Sequence, residues 1–194
     1  MRTTEKTRPL DPRVERTRAA LFAAAVRLVS EQGTSSVAVT DLATAAGVSR
    51  QLVYTHFEDR DDLLVQAAVD LAERSLLAYD TPPAAFDRAT VLPVAQHFAE
   101  HRAFYRALLT GSCAFGMTQA LGELLAPAGR QAMVNIFDDR LTSSLADDLA
   151  VFVTGGAGAV VNAWLLSEEE VLDPHDLAER LHRLWHILDR RDTT

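Results

Sequence analysis

Hydrophobic residues recur at the three- and four-residue spacing of amphipathic helices along most of this chain. One such stretch runs from Val14 to Leu28, and Asp11-Pro12 and Gly33 are the predicted start and stop of its helix. Another begins at Leu63, and the second half shows no alternation typical of strands. The pattern predicts an all-α protein. In the second half, helix breaks are expected at Pro93, Gly111, Gly116, Pro127 and Gly129.

Two short helical patterns, residues 41–46 and 50–56, are separated only by Gly47-Val48-Ser49. A connection this short forces the helices to cross, with Thr40 and Ser49 as N-caps and Gly47 in the left-handed conformation. The spacing predicts a helix-turn-helix, although an ordinary helical hairpin with capped ends has the same features. The expected buried face comprises Leu42, Ala43, Val48, Val53 and Phe57, and the outer face comprises Arg50, Gln51, Tyr54 and Thr55.

The outer face carries side chains suited to a DNA major groove. The forked donors of Arg50 match the guanine edge and the amide of Gln51 matches adenine. Leu52 is expected either to meet a thymine methyl or to pack inside. The candidates for phosphate contacts are Tyr54, His56 and the hydroxyls of Thr40 and Ser49.

Composition describes a folded chain of 194 residues, 48% hydrophobic, which is long enough for one sizeable core. The single cysteine, Cys113, and the lack of a basic-then-apolar leader at the N-terminus predict a cytoplasmic protein.

The net charge of −8 argues against a nucleic-acid partner, but its distribution reverses that argument. Residues 1–57 carry eight Lys or Arg and five Asp or Glu, a net +3, whereas the remainder carries 11 and 22, a net −11. A basic head on an acidic body fits a protein that presents one end to DNA, although a solvated basic tail would also explain the excess.

Several segments in fixed order resemble the DNA-binding domain of the tetracycline-repressor (TetR) family. They are Ala24-Ala25, Leu28, Glu31-Gln32-Gly33, Val39–Ala43, Ala46–Ser49, Tyr54–Phe57 and Leu63-Leu64. The resemblance covers about the first third of the chain. Gln51 departs from it, because a small residue is usual there.

Residues 1–11 are polar without periodicity and predict a flexible arm. The resemblance implies a three-helix helix-turn-helix domain (12–58) and a larger helical body for ligand binding and dimerisation (59–194). A long helix, expected from Asp59 to Tyr79 with Ser75 among its buried residues, would join head to body. Arg60 stands where similar proteins carry a lysine that touches a phosphate, but four neighbouring acids should weaken its pull.

Polar and soft side chains are scattered through the apolar helices of the body, which favours a cavity with a few polar anchors. Each residue alone is more often a satisfied core residue. A metal site of His97, His101 and Cys113 is disfavoured by its loose spacing, and no cofactor is predicted. The predicted pocket set is His97, His101, Phe104, Tyr105, Cys113, Phe115, Met117, Asn135, Phe137, Asn162 and Trp164.

Residues 149–166 carry no charge, which reaches the lower limit for a membrane span. Thr154, Asn162 and three glycines dilute the segment, so a helix in the domain core or at a dimer interface is expected instead. The last helix has an apolar stripe, and the last two helices would pair with their copies in a four-helix bundle, as the resemblance also implies. The predicted interface residues are Leu177, Leu181, Leu184, Trp185 and Leu188.

These features predict a homodimeric, ligand-responsive transcriptional regulator, most simply a repressor, on double-stranded palindromic DNA. Its effector would be a small, mostly apolar molecule. A dimeric DNA-binding protein without a ligand is the first alternative. A helical-bundle enzyme is the second, but no Glu-x-x-His pair, phosphate loop or nucleophile elbow supports a catalytic or metal site.

Overall fold

The computed structural model describes residues 11–76, 88–137 and 142–188, without the side chains of 76, 135–137 and 187–188. The described residues form helices and no strand, as the sequence predicts. The predicted arm lies outside them except for Asp11. The helices are α1 (Pro12–Gln32), α2 (Val39–Ala46), α3 (Arg50–His56), α4 (Arg60–Leu76), α5 (Arg88–Glu100), α6 (Arg102–Leu109), α7 (Ala114–Phe137), α8 (Ser143–Leu165) and α9 (Pro174–Leu188).

Both ends of α1 follow from local chemistry. The Asp11 carboxylate accepts a hydrogen bond from the Arg13 N–H at 2.8 Å, and Pro12 occupies the first turn. At the other end, Gly33 adopts a φ of 64° and donates its N–H to the Val29 carbonyl at 2.9 Å. The predicted start and stop of the helix are therefore confirmed.

The head is built on α1, against which α2 and α4 pack. Leu42, Ala43, Val53 and Phe57 are buried as predicted, while Val48 is partly buried. The hydrophobic cluster that includes them continues without a break into α6, α7 and α8. Head and body consequently share one core, so a shift of the body can reach α2 and α3 by packing alone.

The long connecting helix is present as α4, from Arg60 to Leu76. Leu63, Leu64, Ala67 and Ala68 are fully buried on its inner side. Its expected end at Tyr79 lies outside the described residues. The prediction that Ser75 is buried is wrong, because its side chain is exposed and its hydroxyl donates to the Leu71 carbonyl at 3.1 Å.

Four of the five expected helix breaks are wrong. Pro93 lies inside α5, and Gly116, Pro127 and Gly129 lie inside α7; only Gly111 falls between helices. A proline inside a helix loses one backbone hydrogen bond. Burial of apolar side chains on both sides of each proline outweighs that loss, as Val91 and Ala95 do around Pro93.

In the body, α7 pairs with α8 and α5 pairs with α9. By length and composition α8 could cross a membrane, and only 17% of its most apolar window is buried within the described chain. Of the two places expected for this segment, the core of the body accommodates only part of it, with Val161, Trp164 and Leu165 buried there. Much of its apolar surface faces outward.

Candidate nucleic-acid interface and core polar cluster

The turn between α2 and α3 is fixed by three backbone and cap interactions. Gly47 has a φ of 68°, and its N–H donates to the Thr44 carbonyl at 3.1 Å. The Val48 N–H donates to the Ala43 carbonyl at 3.0 Å. The hydroxyl of Ser49 accepts from the Leu52 N–H at 3.2 Å and so caps α3. The helix-turn-helix predicted from the spacing is confirmed.

Thr40 is not a cap. The helix α2 begins at Val39, and Ala38 stands in the N-cap position without a side-chain hydrogen bond. The Val37 side chain is 1% exposed, and its burial accompanies the earlier start of the helix. Thr40 remains exposed within the first turn, where its hydroxyl faces solvent-accessible space.

Arg50, Gln51, Tyr54 and Thr55 are all exposed on α3, which contains no acidic residue. Within this face, Arg50 Nη2 donates to the Tyr54 hydroxyl at 3.4 Å, and the guanidinium carbon lies 5.5 Å from the Tyr54 ring centroid. The two side chains thus restrain each other, so Arg50 is partly oriented before any DNA arrives.

The remaining residues predicted to contact DNA differ in their exposure and in their hydrogen bonds within the protein. Leu52 and His56 are half-buried. The Thr55 hydroxyl donates to the Gln51 carbonyl at 3.1 Å, so its lone pairs rather than its proton face outward. A donor to phosphate is consequently easier to find in Tyr54 or Arg50 than in Thr55.

Arg60 is already engaged within the protein. Its guanidinium contacts the Asp61 carboxylate at 2.6 Å and donates to the Ser112 hydroxyl at 3.1 Å. Burial works to raise the pKa of Asp61, but hydrogen bonds from Ser112 and Arg60 outweigh it and the pKa is lowered. Because Ser112 lies between α6 and α7, Arg60 ties α4 to the body. A phosphate contact would have to compete with these bonds.

The end of α3 is held by a cation between two aromatic rings. The Arg18 guanidinium carbon lies 5.1 Å from the Phe22 centroid and 5.0 Å from the Phe57 centroid. Phe57 directly follows α3 and is 3% exposed. Nothing in the sequence pattern signals this contact, since the three side chains meet only when α1 and α3 pack.

In the body, His97 and Tyr105 form a buried polar pair against α4. The Tyr105 hydroxyl donates to the Ala68 carbonyl at 3.3 Å, and His97 Nε2 lies 2.8 Å from the same hydroxyl oxygen. Burial, together with the nearby His101, lowers the pKa of His97 to about 4, and burial raises the pKa of Tyr105. Both groups are neutral at pH 7 and hydrogen-bonded to each other, as polar groups in a protein core usually are.

The other residues of the predicted pocket set separate into different environments. Phe104, Cys113, Met117 and Trp164 are buried in the main core, whereas Phe115 is 80% exposed on α7, so its expected place in a cavity wall is wrong. His101 and Asn162 are half-buried. The side chains of Asn135 and Phe137 lie outside the described residues.

Trp164 is distinctive because its indole N–H has no acceptor among the described residues, although the side chain is only 2% exposed. A buried donor without a partner costs about 1–3 kcal/mol. This unsatisfied group lies in the same cluster as Phe104 and Tyr105. It marks a position where an acceptor from a bound molecule would be stabilising.

Cys113 and the histidines do not assemble into a metal centre within the described part of the chain, where no group of three potential ligands occurs. Burial and the adjacent Asp61 carboxylate raise the pKa of the Cys113 thiol to about 11. The thiol is therefore protonated and unreactive at neutral pH.

The predicted interface stripe of α9 is divided between the core and the surface. Leu177 is fully buried and Trp185 is 9% exposed, so both pack within the protomer, and their assignment to the interface is wrong. Leu181 is half-buried and Leu184 is 48% exposed. Leu188 lies outside the described side chains. Leu177 joins the main core, and Trp185 packs with Ala132, Met133 and Ala150 of α7 and α8, neighbours that the sequence does not reveal.

The structure also shows an exposed apolar surface on α8, which the predicted interface residues of α9 did not include. Val151 and Phe152 are 68% and 69% exposed, and Gly155, Gly156 and Ala159 on the same helix are also exposed. Two exposed large apolar side chains beside three small residues give a surface that another helix could approach closely.

Two arginines of α6, also missed from the sequence, cap the end of α8. Arg102 and Arg106 donate to the carbonyl of Leu165, the last residue of α8, at 3.2 and 3.3 Å, and to that of Ser167 just beyond it at 2.6 and 2.9 Å. They satisfy carbonyls that a helix end leaves without partners. Since α6 also contacts α1, this arrangement links the end of α8 to the head.

Residues 21–67 match the family model described as bacterial regulatory proteins, tetR family. Over 49 residues the chain is 45% identical to the HTH-type transcriptional regulator AcrR of Shigella flexneri. That alignment covers 25% of this chain and 23% of the relative, so the chain spans about a quarter of the curated relative it matches. Both matches fall on the helix-turn-helix head, and each names a protein of transcriptional regulation rather than the helical-bundle enzyme weighed as an alternative.

Solved structures share the whole architecture. A TetR transcriptional regulator from Rhodococcus sp. RHA1 superposes with a TM-score of 0.61 over 94% of this chain and all of its own, at 15% identity. RolR in complex with resorcinol gives a TM-score of 0.58 at 22% identity, with 89% of each chain covered. At these identities the similarity establishes the fold: a helix-turn-helix head on a helical body.

Proposed function

We propose that this chain, whose residues 21–67 carry the helix-turn-helix domain of the tetR family, is a homodimeric transcriptional regulator that represses its targets. It would act in the cytoplasm and bind a palindromic double-stranded operator. A small, mostly apolar effector would shift the position of the heads and release the DNA. The parts of this proposal rest on different observations and have separate tests.

The observation that carries DNA binding is the outward face of α3. Arg50, Gln51, Tyr54 and Thr55 are exposed together on a helix without acids, while Val53 and Phe57 anchor the helix from behind. Donors of this kind on the second helix of such a motif suit the edges of bases in the major groove. The basic excess of the first 57 residues adds attraction to phosphate.

Dimerisation is supported by the apolar surface of α8 and α9. Val151, Phe152 and Leu184 are exposed large hydrophobic side chains. The composition of α8 also suits a bilayer. However, Asp147 in its second turn forms a salt bridge with Arg130 of α7, and a bilayer would remove both charges from water. An exposed apolar surface of this kind suits a second copy of the chain. We infer that a second copy covers this face, which would place the two heads for a symmetric site.

The test of DNA binding is selection of bound duplexes from a random pool by the purified protein. A symmetric dimer should enrich inverted repeats whose half-sites lie roughly one helical turn apart, about 34–36 Å centre to centre. Enrichment of single, unpaired half-sites would contradict the dimer, and no enrichment above random DNA would contradict sequence-specific regulation.

The effector would bind in the body near α4, α6 and α8. The unsatisfied Trp164 N–H favours a molecule with an acceptor on an apolar frame, and RolR, which shares the fold, binds resorcinol. Tyr105 donates to Ala68 of α4, so a molecule that displaces this bond would disturb the helix leading to the head. Only a ligand with different affinities for the two head positions can change DNA occupancy.

The mutual hydrogen bond of His97 and Tyr105 also fits the alternative, a dimeric DNA-binding protein without a ligand. Thermal stabilisation across a panel of aromatic and lipid-like compounds distinguishes the two. A sensor should be stabilised by some of them, less so as His101→Leu or Asn162→Leu. No stabilisation by any compound, or equal stabilisation of the variants, would favour the ligand-free alternative.

A further inference from the structure

An open groove of about 740 Å³ lies between α1, α4 and α7, and none of the residues predicted for the effector pocket lines it. Its apolar wall comes from all three helices and includes Phe22, Val69 and Ala120. Two arginines of α1, Arg16 and Arg18, also line it. The groove therefore combines an apolar surface with cations contributed by the head.

These arginines differ from Arg74, the third cation of the groove. Arg74 is paired with the Asp70 carboxylate at 3.0 Å. Arg18 donates instead to the neutral amide oxygen of Gln66 at 2.6 Å, and Arg16 makes no interaction among the described residues. Arg18 is half-buried and Arg16 is exposed. A guanidinium without a carboxylate partner keeps donors available for an incoming anion.

We propose that this groove is a second ligand site, which binds a small amphipathic carboxylate. The carboxylate pairs with Arg18 and, from the other side, Arg16. The apolar portion lies along Val69 and Ala120. Two acids of the groove, Glu15 and Glu73, are exposed. They would favour a cationic ligand instead, and the experiment therefore includes one.

Binding at Arg18 would directly alter the contacts at the end of α3. The guanidinium that would meet the carboxylate also packs on Phe57, with 5.0 Å to the ring centroid. Its partner Gln66 donates to Asp62 at 2.7 Å, and the other carboxylate oxygen of Asp62 accepts from the Glu58 N–H at 2.9 Å. A ligand that draws Arg18 into the groove therefore loosens its contact with Phe57 and its hydrogen-bonded connection to Glu58, both in the segment that follows α3.

The binding step is measured on the DNA-free full-length protein, so its outcome is independent of the proposed regulatory function. Isothermal titration with octanoate is compared with titration of 1-octanol and octylammonium, which share the chain but not the charge. We expect octanoate to bind most tightly. Equal or tighter binding of either analogue would overturn the carboxylate assignment.

Variants locate the site. Arg18→Gln should weaken octanoate at least tenfold, and Arg16→Gln several-fold, because each removes a charged donor. Arg13→Gln removes an exposed charge from the same helix outside the groove and should change nothing. Since Arg18→Gln also alters packing on Phe57, Ala19→Trp provides a second check by filling the groove while keeping both arginines. Octanoate affinity unchanged in Arg16→Gln and Ala19→Trp would overturn the site.

The coupling has its own measurement. Hydrogen exchange of the Glu58 amide, which is bonded to Asp62, should become several-fold faster when octanoate saturates the protein. Ala19→Trp should show no such change at the same concentration. An exchange rate in the native protein that does not respond to saturating octanoate would overturn the connection between the groove and the head.

Discussion

Arg50 and Tyr54 show why exposure alone does not define a base-reading residue. Their hydrogen bond and ring contact hold the guanidinium over α3 before DNA is met. A side chain restrained in this way loses less conformational freedom on binding than a free arginine would. The sequence identifies both residues as outward-facing, but the restraint depends on rotamers that the spacing does not specify.

Arg50→Ala should cost about 1–3 kcal/mol of binding free energy on a selected operator and relax preference at one base pair in each half-site. Tyr54→Phe should weaken selected and random duplexes alike, because the lost hydroxyl is suited to phosphate. Titrations of both duplexes at one salt concentration measure the difference. Arg88→Ala, on the body surface, is the control for lost charge. An equal loss on selected and random DNA would remove Arg50 from base reading.

His97 makes the stability of the protein depend on pH. Its pKa falls from about 6.5 unfolded to about 4 folded, so the unfolded chain binds more protons between these values. The free energy of unfolding should therefore drop by as much as about 3 kcal/mol as pH falls from 6.5 to 4. Urea denaturation at both pH values should show a smaller drop for His97→Gln than for His175→Gln, whose site is exposed. Equal drops would show that His97 is not the source.

At the scale of elements, the sequence predicts those features that depend only on residues close together in the chain. The caps at Asp11 and Ser49 and the stops at Gly33 and Gly47 were all recognisable, because each acts within four residues. Contacts between distant elements were not, as Arg60 with Ser112 and Arg102 with the end of α8 show. Long-range partners carry no periodic signal, so the tie between α4 and the body could not be predicted.

Gly111 lies in close contact with the segment that joins α1 to α2, since a β-carbon built there would sit 1.9 Å from the hydroxyl oxygen of buried Ser35. Gly111→Ala should therefore destabilise the protein by about 1–3 kcal/mol. Ser35→Ala removes the clashing oxygen, so the double variant should be more stable than the sum of the single losses predicts. Urea denaturation of the four proteins gives this coupling. Additive losses would mean that the two segments do not constrain each other.

For the whole molecule, the all-α architecture and the difference in net charge between head and body follow from the sequence, whereas the orientation of the last helices does not. Leu177 and Leu184 belong to the same apolar stripe, yet one is fully buried and the other is 48% exposed. Which half of a stripe faces the core depends on which helix packs against it. The helix α9 packs on α5, which ends at Glu100, 74 residues before α9 begins at Pro174. The exposed surface of α8 could not be predicted either, because it depends on which helices pack against α8.

The assembly prediction uses two phenylalanines that are both exposed in the protomer, Phe152 on α8 at 69% and Phe115 on α7 at 80%. If a second copy covers α8, Phe152→Glu places a charge without a partner at the interface, a penalty of several kcal/mol. Phe115→Glu lies outside the proposed interface and should remain dimeric. Sedimentation velocity without detergent should therefore find a monomer only for Phe152→Glu, with the helical signal in circular dichroism unchanged. A dimeric Phe152→Glu would move the interface away from α8, and a monomeric Phe115→Glu would move it towards the start of α7.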